Sequence, residues 1–369
     1  MRRLVGLVVF GFLVGALIAP TGAAAAGLPQ LRAHTLLRVH NQAGSTAPSG
    51  MAPGMILGAY GFSSSPTAGS GRTIAIVDAY DDPNAEADLG VFDNTWGLPA
   101  CTTANGCFKK VSQSGGTKYP AADAGWSLEI ALDVEWAHAI APGAHILLVE
   151  ASTPSLGNLL TAENYAKAHA KYVSNSWGTG EFSFERFYDG FFSASGVSVF
   201  AASGDTGNPG IWPSTSPNVI SVGGTTLTLN SDGSVTETGW SGSGGGCSKY
   251  ETATAAQAGF KGYAQVGCAG KRAIPDVSLD ANPNTGVAVY DTVPSGNTMA
   301  WYQVGGTSVS TPMWAARSAD ITTGAVVNAG YVYGSAITYR GISMADGGAP
   351  LSPDYNLATG RGSWTGSAP

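Results

Sequence analysis

Short, continuous apolar segments alternate with longer segments of helical periodicity between residues 72 and 225. The apolar run 72–80, RTIAIVDAY, precedes the helical pattern 84–97, and the run 144–151, AHILLVEA, precedes the helical pattern 155–170. Further apolar runs occupy 171–178, 197–205 and 218–225. Strands buried on both faces lack polar alternation, and strands separated by helices pair in parallel. The sequence therefore predicts an α/β fold of three layers, a mainly parallel sheet with helices on both faces.

The remaining segments complete a single predicted domain over residues 71–369. Helical patterns also cover AGWSLEIALDVEWAHAIAPG and ERFYDGFFSASG (185–196), and the last helix is predicted to begin at or just before Ser308. From 226 to 303 the pattern changes to short strands and turns, which is typical of surface excursions. Because we find no internal repeat and no long linker, one domain is the simplest interpretation.

Residues 1–26 have the pattern of a signal peptide. Arg2 and Arg3 precede an apolar run from Leu4 to Ala19, and the stretch TGAAAAG offers A-x-A-like cleavage sites. The alternative, a membrane anchor, fits less well because the run is short and lacks a basic stop beyond it. We therefore expect a secreted, extracellular protein without stable membrane association.

Residues 27–70 are rich in Gly, Ser, Pro and Ala and show little periodicity. This composition predicts an extended lead-in or a short pro-segment. The chain as a whole is not of a disordered type, because 44% of its residues are hydrophobic.

The charge balance restricts the partners that this chain can have. Its 18 basic and 25 acidic residues give a net charge of −7, with no basic cluster that would indicate nucleic-acid binding. We expect protein or peptide substrates and no nucleic acid. Nothing in the sequence indicates oligomers, so a monomer is expected.

The four cysteines form two local pairs, Cys101 with Cys107 and Cys247 with Cys268. In an exported chain an even number of cysteines predicts disulfides, here two that close loops. A metal site has less support, because no C-x-x-C or histidine spacing accompanies them.

The stretch VGGTSVSTPMW (304–314) has the pattern of a serine nucleophile at the start of a helix. A serine such as Ser308 needs a base to take its proton, and the usual base is a histidine held by a carboxylate. None of the five histidines is placed for this role. His34 and His40 lie in the lead-in, and His145 opens a predicted strand. His169 is near the end of a helix, and His138 is turned away from the helix face that carries the acids described next.

A pair of acids offers another base. Glu129 and Asp133 are four residues apart on a predicted helix, which places their Cβ atoms about 5–6 Å apart. Apolar neighbours indicate that both lie near a buried face, where two carboxyls tend to share a proton. The alternative is an ordinary pair of solvated acids, which is common on helix surfaces.

A third carboxyl, Asp205, follows a predicted strand in AASGDTG. Acyl transfer needs hydrogen-bond donors aimed at the developing oxyanion, and a carboxyl can donate only when it is protonated. Asp205 can therefore serve only if its pKa is raised or the medium is acidic. A turn-forming aspartate is the competing interpretation.

These three segments together resemble the sedolisin family of serine-carboxyl peptidases, which have a subtilisin-like fold. GGTSVSTP is similar to the family's GGTSxSxP, E-I-A-L-D to its Glu-x-x-x-Asp helix, and SGDTG to its SGDxG turn. The resemblance implies that Ser308 is the nucleophile and Glu129 the general acid/base. It implies further that Asp133 orients Glu129 and shares its proton, and that Asp205 lends a protonated carboxyl to the oxyanion hole.

The resemblance also implies a C-terminal calcium loop, and here the sequence departs from the family. The comparable stretches are YRGISMADGG and SPDYNLATGRG. Gly341 replaces the family's first Asp and Asn356 replaces its last Asp. Ser352 and Asp354 stand where the family has glycines. Ca²⁺ remains possible as a weakly bound cofactor through Asp354, Asn356 and main-chain oxygens. Family members also often carry a large prodomain, so we expect this chain to fold unaided or with a shortened pro-segment.

The leading hypothesis is a secreted serine-type endopeptidase that hydrolyses peptide bonds at acidic pH through a Ser308 acyl-enzyme. A catalytically inactive, sedolisin-like binding scaffold is the alternative, motivated by the altered loop. An esterase or lipase is a third, but GTSVS lacks the second glycine of a G-x-S-x-G elbow. SNSWG (174–178) and GGCSKY are candidates for lining a substrate cleft, although Trp177 fits a core position slightly better.

Overall fold

The computed structural model describes residues 31–42, 44–294, 300–322, 324–334 and 337–366. The predicted signal peptide, residues 1–26, lies outside the described residues, and the predicted limits of the lead-in and the domain remain predictions. Among the described helices, none combines the length and the apolar character needed to cross a bilayer.

Two of the described α-helices, the third and the sixth, carry candidate catalytic residues. Their bounds are α1 Pro53–Tyr60, α2 Ala85–Trp96, α3 Ala124–Ile140, α4 Leu156–His169, α5 Ala255–Ala258, α6 Thr307–Ile321 and α7 Ala329–Tyr333. Short 3-10 helices are described at His40–Gln42, Glu185–Phe192 and Tyr263–Val266.

The strands are mostly short. Their bounds are β1 His34–Thr35, β2 Arg38–Val39, β3 Thr73–Ala79, β4 Phe108–Ser112, β5 His145–Ala151, β6 Tyr172–Asn175, β7 Trp177–Gly180, β8 Ser198–Ala202, β9 Ile211–Trp212, β10 Ile220–Leu229, β11 Val235–Gly239, β12 Gly246–Thr252, β13 Lys271–Ile274, β14 Val277–Asp280, β15 Val287–Tyr290, β16 Trp301–Gly305, β17 Tyr339–Arg340 and β18 Ser363–Trp364.

The central sheet has the order β17-β18-β14-β10-β8-β6-β3-β5-β4, and β11 pairs with β10. All neighbours along this order are parallel except the edge pair β17 and β18, while β11 also pairs antiparallel. Side chains of β3 alternate between two cores, with Ile74 and Ile76 in one and Ala75 and Val77 in the other. The mainly parallel sheet covered on both faces confirms the predicted α/β class.

Helix α3 is buried on nearly all sides, which explains why its acids are not solvated. The Asp123 side chain accepts hydrogen bonds from the Gly125 and Trp126 N–H groups and so caps its N-terminus. Beyond the first two residues every position of the helix is buried, because it lies between the sheet, α2 and α6. The polar side chains of this helix, among them Glu129 and Asp133, are therefore buried together with its apolar ones.

Three local predictions differ from the structure. The predicted strand 171–178 is two strands, β6 and β7, because the chain leaves the sheet at Ser176. The predicted helix 185–196 is a 3-10 helix that ends at Phe192, within a segment whose Gly190 disfavours a longer helix. The lead-in, predicted to be extended, contains α1, which begins with a proline at its first position.

Both predicted disulfides are present, Cys101–Cys107 and Cys247–Cys268. Trp177 is fully buried against Phe192 and Trp212, as expected of a core residue.

Candidate active site

Ser308 is the second residue of α6, at the point where β16 turns into the helix. The turn is made by Gly306, whose φ of +102° is costly for any residue with a Cβ. The Ser308 side chain is fully buried, and its hydroxyl donates to the Ser176 carbonyl at 3.4 Å. The Ser308 N–H donates to the carbonyl oxygen of Leu36 at 3.0 Å.

Glu129 and Asp133 project from α3 and are both fully buried. Asp133 Oδ1 accepts from the Ser176 hydroxyl at 2.9 Å, so Ser176 contacts both the acid and the Ser308 hydroxyl. Glu129 Oε2 accepts from the Leu36 N–H at 3.1 Å. Burial, together with the charges of Asp133 and Asp78, raises the pKa of Glu129 well above its usual range, and the Ser308 hydroxyl nearby opposes this rise.

Burial and the charge of Asp78 also raise the pKa of Asp133 well above its usual range, although the Ser176 hydroxyl opposes it. Two adjacent, fully buried carboxyls cannot both carry a charge at low cost, so at least one proton stays on the pair. The predicted acid pair is therefore buried, and the solvated alternative is wrong.

Asp78 is a functional candidate that the sequence analysis missed. It is the sixth residue of β3 and fully buried, and neither carboxyl oxygen has a hydrogen-bond partner among the described residues. Burial raises the pKa of Asp78 to about 8, so it is neutral in acid. A single carboxyl inside the apolar run IAIVDAY was the available sequence signal.

Asp205 follows β8 and lies beside the start of α6. Its Oδ1 accepts from the Thr307 N–H at 2.8 Å and from the Thr307 hydroxyl at 3.0 Å. Its Oδ2 has no hydrogen-bond partner among the described residues, and Arg38 Nε lies 3.7 Å from it. Burial raises the pKa of Asp205 to about 7, against the opposing effects of Thr307 and Arg38.

Because Thr307 occupies Oδ1, Oδ2 is the oxygen free to carry a proton. A Cβ on Gly306 would collide with the Leu36 carbonyl oxygen and Asp205 Oδ2, so these two atoms face one small space. The Ser308 N–H reaches the same carbonyl oxygen. Asp205 Oδ2 and the Ser308 N–H therefore both lie close to the Leu36 carbonyl oxygen.

Three of the histidines, on α3, β5 and α4, have their ring nitrogens at main-chain carbonyls outside this group. His138 is buried on α3, but its Nε2 lies 2.8 Å from the Pro99 carbonyl oxygen and 3.4 Å from Asp93 Oδ1. His145 and His169 are exposed and contact main-chain carbonyls. The sequence argument against a histidine base is consistent with these positions.

The residues at the C-terminal loop do not fit a cation. The Asn356 amide Nδ2 donates to the Ile342 carbonyl at 3.4 Å and to the Ser352 carbonyl at 3.1 Å, so an N–H group points where a metal would need oxygen ligands. The Asp354 carboxyl is half-exposed and turned to Lys261 at 3.2 Å. We therefore derive no role for calcium at this loop.

Two other groups of potential ligands occur in the described part of the chain. Cys101, Cys107 and His138 lie together, but the cysteines are joined in a disulfide and cannot ligate as thiolates. The second group is Asp82, Asp88 and Asp291, whose carboxylate oxygens lie within 4.8 Å of one another. One member of this second group, Asp88, already accepts hydrogen bonds from the N–H and the hydroxyl of Thr292.

Comparison with known proteins identifies relatives of this chain. The Subtilase family matches residues 121–326. Kumamolisin of Bacillus sp. (strain MN-32) is 32% identical over 84% of this chain and 60% of its own length. Sedolisin of Pseudomonas sp. (strain 101) is 38% identical over 28% of this chain and 18% of its own length. The chain thus spans less than two thirds of the curated relatives it matches.

A solved structure agrees with the fold over most of the chain. Pseudomonas sedolisin, a serine-carboxyl proteinase in complex with two molecules of pseudo-iodotyrostatin, superposes with a TM-score of 0.73 at 26% identity. The superposition covers 86% of this chain and 96% of that structure.

Proposed function

We propose, from the premise that this chain belongs to the sedolisin family of serine-carboxyl peptidases within the subtilases, that it hydrolyses peptide bonds at acidic pH through a Ser308 acyl-enzyme. One observation carries the proposal. The Glu129 carboxylate and the Ser308 N–H contact the two ends of a single residue, Leu36, through its N–H and its C=O. A peptide backbone is thus held between the candidate base and the candidate oxyanion donors.

Glu129 is proposed to take the Ser308 proton as the hydroxyl attacks the peptide carbonyl carbon, and then to give it to the leaving amine. Asp133 orients Glu129 and is itself held by the Ser176 hydroxyl. Asp78 adds a third buried carboxyl beside the pair; it is neutral in acid, and its charge would repel those of the pair only at higher pH. A carboxylate is a weaker base than imidazole, and it is suited to an acidic medium in which a histidine would be charged.

Asp205 is proposed to donate its Oδ2 proton to the oxyanion, beside the Ser308 N–H. Its pKa of about 7 gives the sign of the pH dependence. Below pH 7 the carboxyl is neutral and donates; as the pH rises through 7 it becomes an anion that repels the oxyanion. Activity should therefore decline toward neutral pH.

We also propose that the protein is secreted and acts on proteins or peptides as a monomer. Support for secretion comes from the basic and apolar pattern of residues 1–26 and from two disulfides, which persist in oxidising compartments.

Casein cleavage at about pH 4 tests the proposal. Wild type should cleave, Ser308→Ala should not, and Ser318→Ala should match wild type. Ser318 is a matched control because it is a buried serine of the same helix whose hydroxyl has no partner among the described residues. Equal cleavage by wild type and Ser308→Ala would remove the peptidase assignment.

A further inference from the structure

A groove rich in basic side chains lies at the edge of the central sheet where β3, β5 and β6 begin. Two adjoining depressions share Thr73 and His169, and together they form this groove. Its basic members belong to four neighbouring strands, or directly precede them, and to the end of α4: Arg72, Lys109, His145, Lys167, His169 and Lys171. We call these six residues the basic groove.

The register of the sheet brings these side chains together from distant parts of the sequence. The first residues of β3 and β5, Thr73 and His145, lie opposite each other. Arg72 and Lys171 precede the neighbouring strands β3 and β6, and Lys109 lies on β4 beyond β5. Neighbouring strands are about 4.8 Å apart. The fold therefore creates a basic surface that no run of basic residues marks in the sequence.

The positive charge of the groove is not neutralised. Among the described residues, no Asp or Glu lines either depression. The Lys and Arg side chains of the groove form no ion pair with a described residue, although other Lys and Arg side chains pair with acids elsewhere. Like charges held close together repel one another, and this chain has a net charge of −7. A positive patch of this kind is complementary to an anionic partner.

Helix electrostatics explains only part of the groove. Lys167 and His169 lie in the last turn of α4, where the helix dipole stabilises cations. Lys167 Nζ also donates to two main-chain carbonyls of the 3-10 helix at Glu185–Phe192, at 3.1 and 2.6 Å. Neither reason applies to Arg72, Lys109 or Lys171, which belong to no helix.

Two imidazoles and an aromatic ring complete the surface. His145 Nδ1 lies 2.9 Å from the Gly106 carbonyl oxygen, and His169 Nδ1 lies 2.8 Å from that of Tyr165. Because a carbonyl can only accept, Nδ1 is the donor in both rings, and neither Nε2 has a hydrogen-bond partner among the described residues. The Tyr165 ring stacks on His169 with 4.0 Å between centroids. The groove thus combines cations with a flat ring, against which a sugar can pack.

Shape and composition favour a linear polymer over a membrane. The groove is concave, and none of the large apolar side chains exposed on the described surface lines it. A surface that inserts into a bilayer presents such side chains. The charge on the polymer must also persist where the protein works. Carboxyl groups with pKa values near 4 lose charge in acid, whereas sulfate esters stay charged.

We propose that the basic groove binds a sulfated polysaccharide and anchors the protein to it while the candidate active site stays open. The choice of sulfate over carboxylate rests on the proposed acidic working range, and the groove itself does not. Asp78 lies near the far end of β3, and Ser176 directly follows β6. The 7 residues of β3 span about 20 Å, so polymer and peptide substrate bind at opposite edges of the sheet.

The test is the Kd for fluorescently labelled dextran sulfate, measured by anisotropy at pH 4 on a Ser308→Ala background. Lys109→Ala/Lys171→Ala should bind at least about tenfold more weakly, because it removes two of the charges that contact the polymer. Lys118→Ala/Lys261→Ala is the matched control, since it removes two exposed lysines outside the groove and gives the same net charge. The control should bind within about twofold of its parent, and neutral dextran should not bind.

The outcomes separate the groove from the polymer and from the peptidase. Equal losses of affinity in the groove variant and the control variant would overturn the groove as the site. Tighter binding of single-stranded RNA or of anionic phospholipid vesicles than of dextran sulfate would overturn the sulfated polysaccharide as the partner. Saturating dextran sulfate should leave the cleavage of a short peptide by wild type unchanged, and competitive inhibition would contradict a separate site. Groove-dependent binding by a protein that cleaves no peptide would support the groove and overturn the proposed function.

Discussion

Glu163 offers a test, away from the candidate active site, of whether a buried carboxyl stays neutral at pH 7 in this protein. It lies on α4 and is fully buried. Burial raises the pKa of Glu163 from 4.5 to about 8, although Asn175 and Lys167 oppose the rise. We predict that Glu163→Gln, which removes the titration and keeps the shape, stabilises the protein at neutral pH and not in acid.

The sign follows from the direction of the shift. A carboxyl whose folded pKa is raised contributes its full stability below its unfolded pKa and loses it as the pH rises toward the folded value. At pH 7, which is about 2.5 pH units above the ordinary pKa of 4.5, keeping the proton on Glu163 costs about 3.5 kcal/mol, at about 1.4 kcal/mol per unit. A buried glutamine amide without full hydrogen-bond partners costs about 1–2 kcal/mol, so the net gain should be about 2 kcal/mol.

The assay is urea unfolding at pH 4 and pH 7, on a Ser308→Ala background that prevents self-digestion. Glu163→Gln should raise the free energy of unfolding at pH 7 and leave it unchanged or lower at pH 4. Asp232→Asn is the control, because that exposed carboxyl has its pKa lowered by Ser234 and should give no gain at pH 7. An equal effect of Glu163→Gln at both pH values would refute the claim that Glu163 is a neutral buried acid.

Three further predictions concern single features of the chain. Asp205→Asn should be active at pH 4 and stay active through pH 8, because its amide can accept from Thr307 and donate to the oxyanion at every pH. Asp205→Ala, which removes the donor, should lower kcat by about 10²–10³. Both effects are measured as initial rates on a peptide substrate. If Asp205→Asn loses activity toward neutral pH as wild type does, Asp205 is not the group whose ionisation limits the activity. Replacing both Cys247 and Cys268 by alanine should cost about 3 kcal/mol in urea melts, from the loop of 21 residues that they close, and an unchanged midpoint would contradict this. A chelator should leave the Tm unchanged, and a Tm that falls with chelator would show that a cation is bound. Asn356→Ala should lower the free energy of unfolding by about 1–3 kcal/mol, because the Ile342 and Ser352 carbonyls then lose their hydrogen-bond donor.

The central fold could be predicted because its strands are buried on both faces. Runs such as 72–80 and 144–151 lack polar alternation, and only a sheet covered on two sides accommodates them. The break between β6 and β7 could not be predicted, because β7 leaves the central sheet to pair with β1 and β9, which are distant in the sequence.

The candidate site was predicted in part, because several of its residues have local sequence signals. Glu129 and Asp133 share one helix, so their spacing is local information, and Ser308 has a local motif. Asp78 belongs to another element, and only tertiary packing brings it near α3. The passage of Leu36 through the cleft depends on two-residue strands, which are too short to show any periodicity.

The most direct test of the serine-carboxyl assignment is the pH dependence of kcat/KM for a peptide with leucine before the cleaved bond. It should be measured from pH 3 to pH 8 in wild type, Glu129→Gln and Ser308→Ala. We predict wild-type activity that is highest in acid and declines through about pH 7, following the Asp205 carboxyl. Glu129→Gln should be at least about a hundredfold less active at every pH, and Ser308→Ala lower still. Wild-type activity in Glu129→Gln, or a rate that rises into alkaline pH, would contradict a carboxyl base acting on Ser308.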